Sequence, residues 1–141
     1  MRSLRTRSGT QTAALILAAA LFVAAGINHF RDPNFYLPAM PLYLPWPLAL
    51  IYVSGAFEIL GGLAILWPSV RRLAGWGLIA LLVAVFPANL HMAFFPEEFV
   101  AQGIPVWALY LRLPVQAAFI AWIYSVAASR GAVSDNVSRA A

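Results

Sequence analysis

Two long stretches of this chain carry no charged residue, and they constrain its fold more than any other feature. Residues 8–30 form a run of 23 uncharged positions, and residues 73–96 form a run of 24. A helix needs about 20 mostly apolar residues to cross the hydrocarbon core of a bilayer. We therefore expect both runs to form helices that lie in lipid.

Two further stretches reach spanning length only if each admits one charge, which is Glu58 in residues 47–67 and Arg112 in residues 106–126. A charge at the bilayer centre costs about 2.5–3.5 kcal/mol, whereas each Leu, Ile, Val or Phe contributes about −0.3 to −0.6 kcal/mol. These stretches hold ten and nine such residues, enough to offset one charge. The sequence therefore predicts four spans, at about 10–30, 47–67, 73–95 and 106–127.

Composition agrees with a chain whose main solvent is lipid. The chain is 62% hydrophobic and 10% charged, against about 45–50% and 25% in soluble domains. This balance excludes a soluble enzyme and a nucleic-acid-binding module, and the lack of cysteine excludes disulfides and thiolate metal sites. We expect an all-α integral membrane protein, a single membrane domain over residues 1–141 built as a four-transmembrane-helix bundle.

The arginines predict the orientation of the spans. Seven of them fall on one side of the predicted membrane, namely Arg2, Arg5, Arg7, Arg71, Arg72, Arg130 and Arg139, and only Arg31 falls in the opposite connections. The positive-inside rule then places both termini in the cytoplasm, with flexible cytoplasmic tails at residues 1–9 and 129–141. An alternative stays open, in which the first span is a signal peptide cleaved near the small residues 23–25.

The segment between the first two spans is rich in proline and aromatic residues. Residues 31–47 hold five of the ten prolines. Asp32 and Pro33 predict the cap and first position of a short helix, and the later prolines prevent a longer one. Two interpretations remain: a stiff interfacial connector resting in the headgroups, or a lid over the outer mouth of the bundle.

The strongly polar residues inside the spans all fall in their outer halves. At about 1.5 Å per residue, Glu58 lies about 16 Å and Arg112 about 9 Å from the outer boundary. Glu58 shares a helix face with small residues, which predicts that it points into the bundle. The candidate ligand-binding residues are Glu58, Arg112, Gln116, Asn89, Asn28, His29 and His91.

Glu58 and Arg112 have opposite charges, so we expect them to interact directly, through a water or through Gln116. The pair is either a staple that fixes helix register or part of a ligand or proton site. Pro87 frees the carbonyl of Val83 from its helical hydrogen bond, and such carbonyls favour a polar pocket.

The two histidines have two readings. His29 and His91 are interfacial hydrogen-bonding residues, or they bind a metal together with Glu58 or Asp32. No spacing motif supports a metal site, so we expect none. No Ser–His–Asp arrangement is evident in the sequence either.

Four short segments, one per predicted span, resemble the DoxX family of small bacterial membrane proteins over residues 15–124. They are residues 26–30 (GINHF), 55–58 (GAFE) with 61–62 (GG), 87–92 (PANLHM) and 112–116 (RLPVQ). The resemblance implies a four-helix protein of the bacterial inner membrane, associated with oxidoreductases or resembling a quinone-reductase subunit. It leaves open whether the chain is itself an enzyme.

Three functions are consistent with these features. The first is an accessory subunit of a membrane redox system, with a pocket in the outer half of the bundle for a quinone-like or other amphipathic ligand. The second is a non-enzymatic assembly or interaction protein, with a membrane protein or a second copy as partner and with structural buried polar residues. The third, a proton-coupled transporter, is disfavoured because the inner halves of the spans offer no polar path.

Overall fold

The computed structural model describes residues 8–128, and this part of the chain is helical with no strand. The α-helices are α1 (Gly9–Arg31), α2 (Pro33–Tyr36), α3 (Pro47–Ala64), α4 (Arg71–Phe94), α5 (Glu97–Ala101) and α6 (Val106–Ile123). A 3₁₀ turn (Leu37–Ala39) follows α2, and a π-helix (Tyr124–Ala128) continues α6. The predicted tails lie outside the described residues, apart from Ser8 and Gly9.

Four of these helices, α1, α3, α4 and α6 with its π-helical extension, are long and apolar enough to cross a membrane. This confirms the four long apolar helices expected from the sequence. Local signals account for several helix starts. Ser8 and Gln11 form a capping box at α1, and Asp32 accepts from the backbone N–H of Phe35 with Pro33 at the first position of α2, as predicted.

Two apolar clusters lie at opposite ends of the bundle. The larger is at the turn end, which we define by the α3–α4 turn at residues 65–70, and it joins α1, α4 and α6 with its extension to that turn. Its buried members are Leu15, Ala18, Ala19, Phe22, Ile65, Leu78, Ile79, Ile123, Ala127 and Ala128. The smaller cluster, Ala39, Met92, Phe99 and Leu109, lies at the connector end, where residues 32–46 join α1 to α3.

Helices α1 and α3 run antiparallel and touch through their backbones. A Cβ on Gly26 would lie 2.6 Å from the carbonyl oxygen of Gly55, and a Cβ on Gly55 would lie 2.6 Å from the Cβ of His29. Only glycine allows this approach. The glycine-bearing face of α3 is buried together with Glu58, which confirms the predicted inward direction of that face.

Helices α3 and α4 are in close contact near the turn that joins them. There a Cβ on Gly61 would lie 2.5 Å from the side chain of Leu78. Toward the connector end a cavity lies between the two helices. The connector enters α3 through Trp46, whose φ of 52° and ψ of 55° are left-handed, an uncommon backbone conformation for a bulky residue.

Replacing Gly55 by alanine should lower the free energy of unfolding by about 1–3 kcal/mol, because the new methyl group overpacks the α1–α3 contact. Gly77 is the matched control: it is also in a long helix, but a Cβ there meets no atom within 4 Å. Gly77→Ala should be neutral or stabilising by up to about 1 kcal/mol. Unfolding in mixed micelles followed by circular dichroism measures both, and equal effects of the two variants would contradict the close crossing.

Candidate functional site

A cavity of about 660 Å³ lies between α3 and α4 at the connector end of the bundle. Most of its wall is apolar. The polar side chains that line it come from five different elements and are His29, Tyr36, Ser54, Glu58, Asn89 and Arg112. Four of the seven predicted ligand-binding residues, His29, Glu58, Asn89 and Arg112, are therefore brought together.

The connector forms one end of this cavity. Tyr36, Ala39, Met40 and Leu44 all line it. Ala39 is also anchored in the smaller apolar cluster, and the ring of Phe35 contacts the ring of Phe99 edge-on at 6.4 Å between centroids. Of the two interpretations of this segment, the structure favours a cover over a cavity.

His29 is the residue that ties α1 to the polar side of α3. Its Nδ1 lies 3.0 Å from the carbonyl oxygen of Ile51, and its Nε2 lies 3.7 Å from Oε2 of Glu58. Helical side chains lean toward the N-terminus of their own helix. Because α1 and α3 are antiparallel, His29 and Glu58 lean toward each other, so the pair forms although the two residues start at different depths.

Glu58 is buried, with only 9% of its surface exposed, and its Oε2 atom has no hydrogen-bond partner in the described part of the chain. The sequence predicts that Glu58 interacts with Arg112 directly, through a water or through Gln116. The direct ion pair is absent from residues 8–128, and Gln116 bonds to Asn89 and the Leu82 carbonyl instead, so those two forms of the prediction are wrong. The carboxylate pairs with the imidazole of His29 instead. The reason is that His29 projects from the helix in backbone contact with α3, whereas Arg112 approaches the cavity from α6.

Arg112 is left without a charge partner among residues 8–128. It lines the same cavity as Glu58, yet no hydrogen bond or ion pair joins its guanidinium to another described side chain or carbonyl. A guanidinium carries five N–H donors and stays protonated. The cavity wall therefore contains a cation whose donors are available to a ligand.

Gln116 and Asn89 form a structural tie between α4 and α6. Asn89 donates through Nδ2 to Oε1 of Gln116 at 2.7 Å, and Gln116 in turn donates to the carbonyl of Leu82. The Leu82 carbonyl is adjacent to the Val83 carbonyl, which is the one that Pro87 is predicted to free. Gln116 lines a separate, smaller cavity of about 180 Å³ between α4 and α6, so it does not reach the main cavity wall.

Asn28 and His91 lie outside the cavity lining. Asn28 is exposed and donates to the hydroxyl of Tyr36 at 2.8 Å. The Tyr36 ring in turn lies 4.1 Å from that of His29, so Asn28 acts on the site only through Tyr36. His91 lies 4.7 Å from the ring of Phe95. Within residues 8–128 no group of three His, Asp or Glu side chains could hold a metal ion.

Sequence reasoning missed two residues of the site. Ser54 carried a signal, since it lies one helical turn before Glu58 on the same face. Its hydroxyl donates to the carbonyl of Ile51 at 2.9 Å and lies 3.1 Å from Nδ1 of His29. Tyr36 carried no such signal, because its position depends on how the connector folds back over α3.

Ser54, His29 and Glu58 resemble a catalytic serine triad in composition, although no such arrangement was evident in the sequence. Their hydrogen bonding argues against that chemistry. Nδ1 of His29 faces a carbonyl oxygen, which can only accept, so Nδ1 must carry a hydrogen. It therefore cannot take the proton of the Ser54 hydroxyl, and serine activation by a general base is excluded in this geometry.

Replacing His29 by leucine should destabilise the fold by about 3–5 kcal/mol, because it leaves the buried Glu58 carboxylate unpaired. Glu58→Leu should cost less than His29→Leu, because the remaining imidazole can stay neutral with its Nδ1 hydrogen on the Ile51 carbonyl. The double variant should be more stable than His29→Leu alone, because it leaves no unpaired carboxylate. His91→Leu, outside the cavity, is the matched histidine control and should cost much less. Strictly additive effects of the two substitutions in chemical unfolding would contradict a coupled pair.

Comparison with known proteins corrects the family expected from the sequence. No match to the DoxX family is found, so that resemblance is wrong. It depended on short segments of small and polar residues, types that helix packing in membranes favours generally. No curated protein and no solved structure matches the chain. Residues 5–127 match DUF8561, a domain of unknown function, and the chain belongs to that family.

Proposed function

We propose that this protein is a multi-pass membrane protein whose cavity binds an amphipathic molecule taken from the bilayer. The observation that carries the proposal is a mostly apolar cavity whose wall holds two polar groups without hydrogen-bond partners. Oε2 of Glu58 has none, and the guanidinium of Arg112 has none within residues 8–128. A ligand with a polar head and an apolar body would meet both parts of the wall.

The cavity has a lateral mouth that supports entry from lipid. Val53 and Phe57 line it from α3, yet 50% and 58% of their surfaces are exposed. Ala84 lines it from α4 and is exposed as well. Exposed residues on both helices mark an opening between them. If the four long helices span a bilayer, this opening faces the acyl chains.

The redox role was implied only by the DoxX resemblance and loses its support with it. A quinone remains one amphipathic molecule to test, and its chemistry fits the site in part. Its carbonyl oxygens would accept from Arg112, but they are neutral and would leave the guanidinium charge unbalanced.

The alternative function is an assembly or interaction protein whose buried polar residues are structural. The tie between Asn89, Gln116 and the Leu82 carbonyl supports that reading, since it satisfies these groups within the fold. The open donors of Arg112 and the unpartnered oxygen of Glu58 favour a ligand instead. Proton-coupled transport is not proposed, because the turn-end cluster is apolar.

We further propose that both termini lie in the cytoplasm of a bacterial cell, as the arginine distribution predicts. The chain has no cysteine, so single cysteines can report the topology. In intact cells, Gln102→Cys between α5 and α6 should react with an impermeant maleimide. Ser69→Cys in the α3–α4 turn should react only after the membrane is opened. The reverse pattern would contradict this orientation.

Blocking the lateral mouth tests the binding function. In Ala84→Trp the large ring should obstruct the opening, whereas Ala80→Trp, one helical turn away on the exposed side of α4, does not line the cavity. Native mass spectrometry of protein purified in mild detergent should detect a bound amphipathic molecule in the wild type and in Ala80→Trp. Ala84→Trp should lose it.

Two results would contradict the binding function. One is equal retention of the bound molecule by both tryptophan variants. The other is a wild-type protein that carries no such molecule but retains a membrane-protein partner, which is the result that the assembly alternative predicts.

A further inference from the structure

We infer that the ligand carries a negatively charged head, a carboxylate or a phosphate, and that Arg112 is the residue that binds it. This inference rests on the proposed binding function and names the class of amphipathic molecule involved. It rests on the charged groups that face the cavity and on which of them already have a partner.

The His29–Glu58 pair contributes no net charge in its favourable state. Nδ1 of His29 carries a hydrogen toward the carbonyl of Ile51, so Nε2 faces Oε2 of Glu58 as one lone-pair atom facing another. At 3.7 Å this contact is favourable only when one of the two atoms, Nε2 or Oε2, carries a proton. The pair is then an imidazolium with a carboxylate or two neutral groups, and its charges sum to zero in both cases.

The other polar residues of the cavity wall are neutral. Ser54 uses its hydroxyl proton on the carbonyl of Ile51, Asn89 donates to Gln116, and Tyr36 accepts from Asn28. Arg112 is therefore the uncompensated charge among the described residues that line the cavity. An unpaired charge in a membrane span is costly, and a ligand anion would remove that cost.

The chemistry of arginine suits this head group. A guanidinium presents parallel N–H donors that match the two oxygens of a carboxylate or phosphate, and such charge-assisted pairs are among the stronger hydrogen bonds in proteins. A cationic head would be repelled by Arg112, and a neutral head would leave the charge unpaired. The apolar wall and the lateral mouth select a long-chain anion over a small soluble one.

Matched probes test the head and the chain separately. We would measure apparent Kd values for dodecanoate, dodecyl phosphate, dodecanol and dodecylammonium, with acetate and inorganic phosphate as chain-free anions, by native mass spectrometry from nonionic micelles. The two long-chain anions should bind at least about tenfold more tightly than dodecanol, which corresponds to one charge-assisted pair. Dodecylammonium should bind most weakly of the four, and the chain-free anions should not bind detectably.

Substitutions assign the selectivity to Arg112. In Arg112→Gln the anions should bind no better than dodecanol. Arg112→Lys keeps the charge and should retain part of the preference. The control is Arg72→Gln, which removes an exposed arginine at the turn end and should leave the preference intact.

Each contrary outcome has a distinct meaning. Equal binding of all four dodecyl probes, or an anion preference that survives Arg112→Gln, would overturn this inference and leave the proposed function standing. A preference for dodecylammonium would also overturn it and would point to Glu58 as the partner of the head. If no dodecyl probe binds, the proposed function itself fails. Equal binding of chain-free and long-chain anions would contradict the claim that the ligand is amphipathic.

Discussion

The backbone contact between α1 and α3 at Gly26 and Gly55 is the interaction on which the rest of the arrangement depends. It brings His29 over the carbonyl of Ile51 and into range of Glu58, a contact that a side chain larger than hydrogen at Gly55 would block. The contact also holds α3 against α1, and the two helices approach closely again at Gly62. Helix α4 approaches α3 closely at the turn end, and the cavity lies between the two helices toward the connector end.

Most polar and charged side chains inside this bundle have a partner within the fold. Glu58 is held by a histidine, and the amides of Asn89 and Gln116 satisfy each other and a backbone carbonyl near Pro87. The larger apolar cluster packs the turn end of the bundle, and the smaller one joins the connector to α4, α5 and α6 at the connector end. Arg112 is the exception, a cation facing the cavity without a partner in the described chain, and that exception is what points to a ligand.

The sequence was sufficient to predict the four long helices and the inward face of Glu58, because hydropathy and glycine spacing act locally along each helix. It was not sufficient to pair Glu58 correctly. The predicted partner of Glu58 was chosen by depth along each helix axis, which ignores both the lean of side chains and the crossing of the helices. By depth alone, Arg112 is the predicted partner and His29 is an interfacial residue. Tyr36 was missed for a related reason, since its position follows from a connector that turns through a left-handed Trp46. The predicted DoxX family was wrong because short motifs of small and polar residues recur wherever membrane helices pack.

This chain belongs to DUF8561, a family of unknown function, so membership assigns it no activity. The functional hypothesis therefore rests on the chemistry of the cavity. The most direct measurement is an experimental structure of the protein in lipid nanodiscs with no ligand added. We expect elongated density between α3 and α4, with its polar end within hydrogen-bonding distance of the Arg112 guanidinium. An empty cavity, or an Arg112 side chain turned onto the Glu58 carboxylate so that the cavity closes, would contradict ligand binding in this cavity.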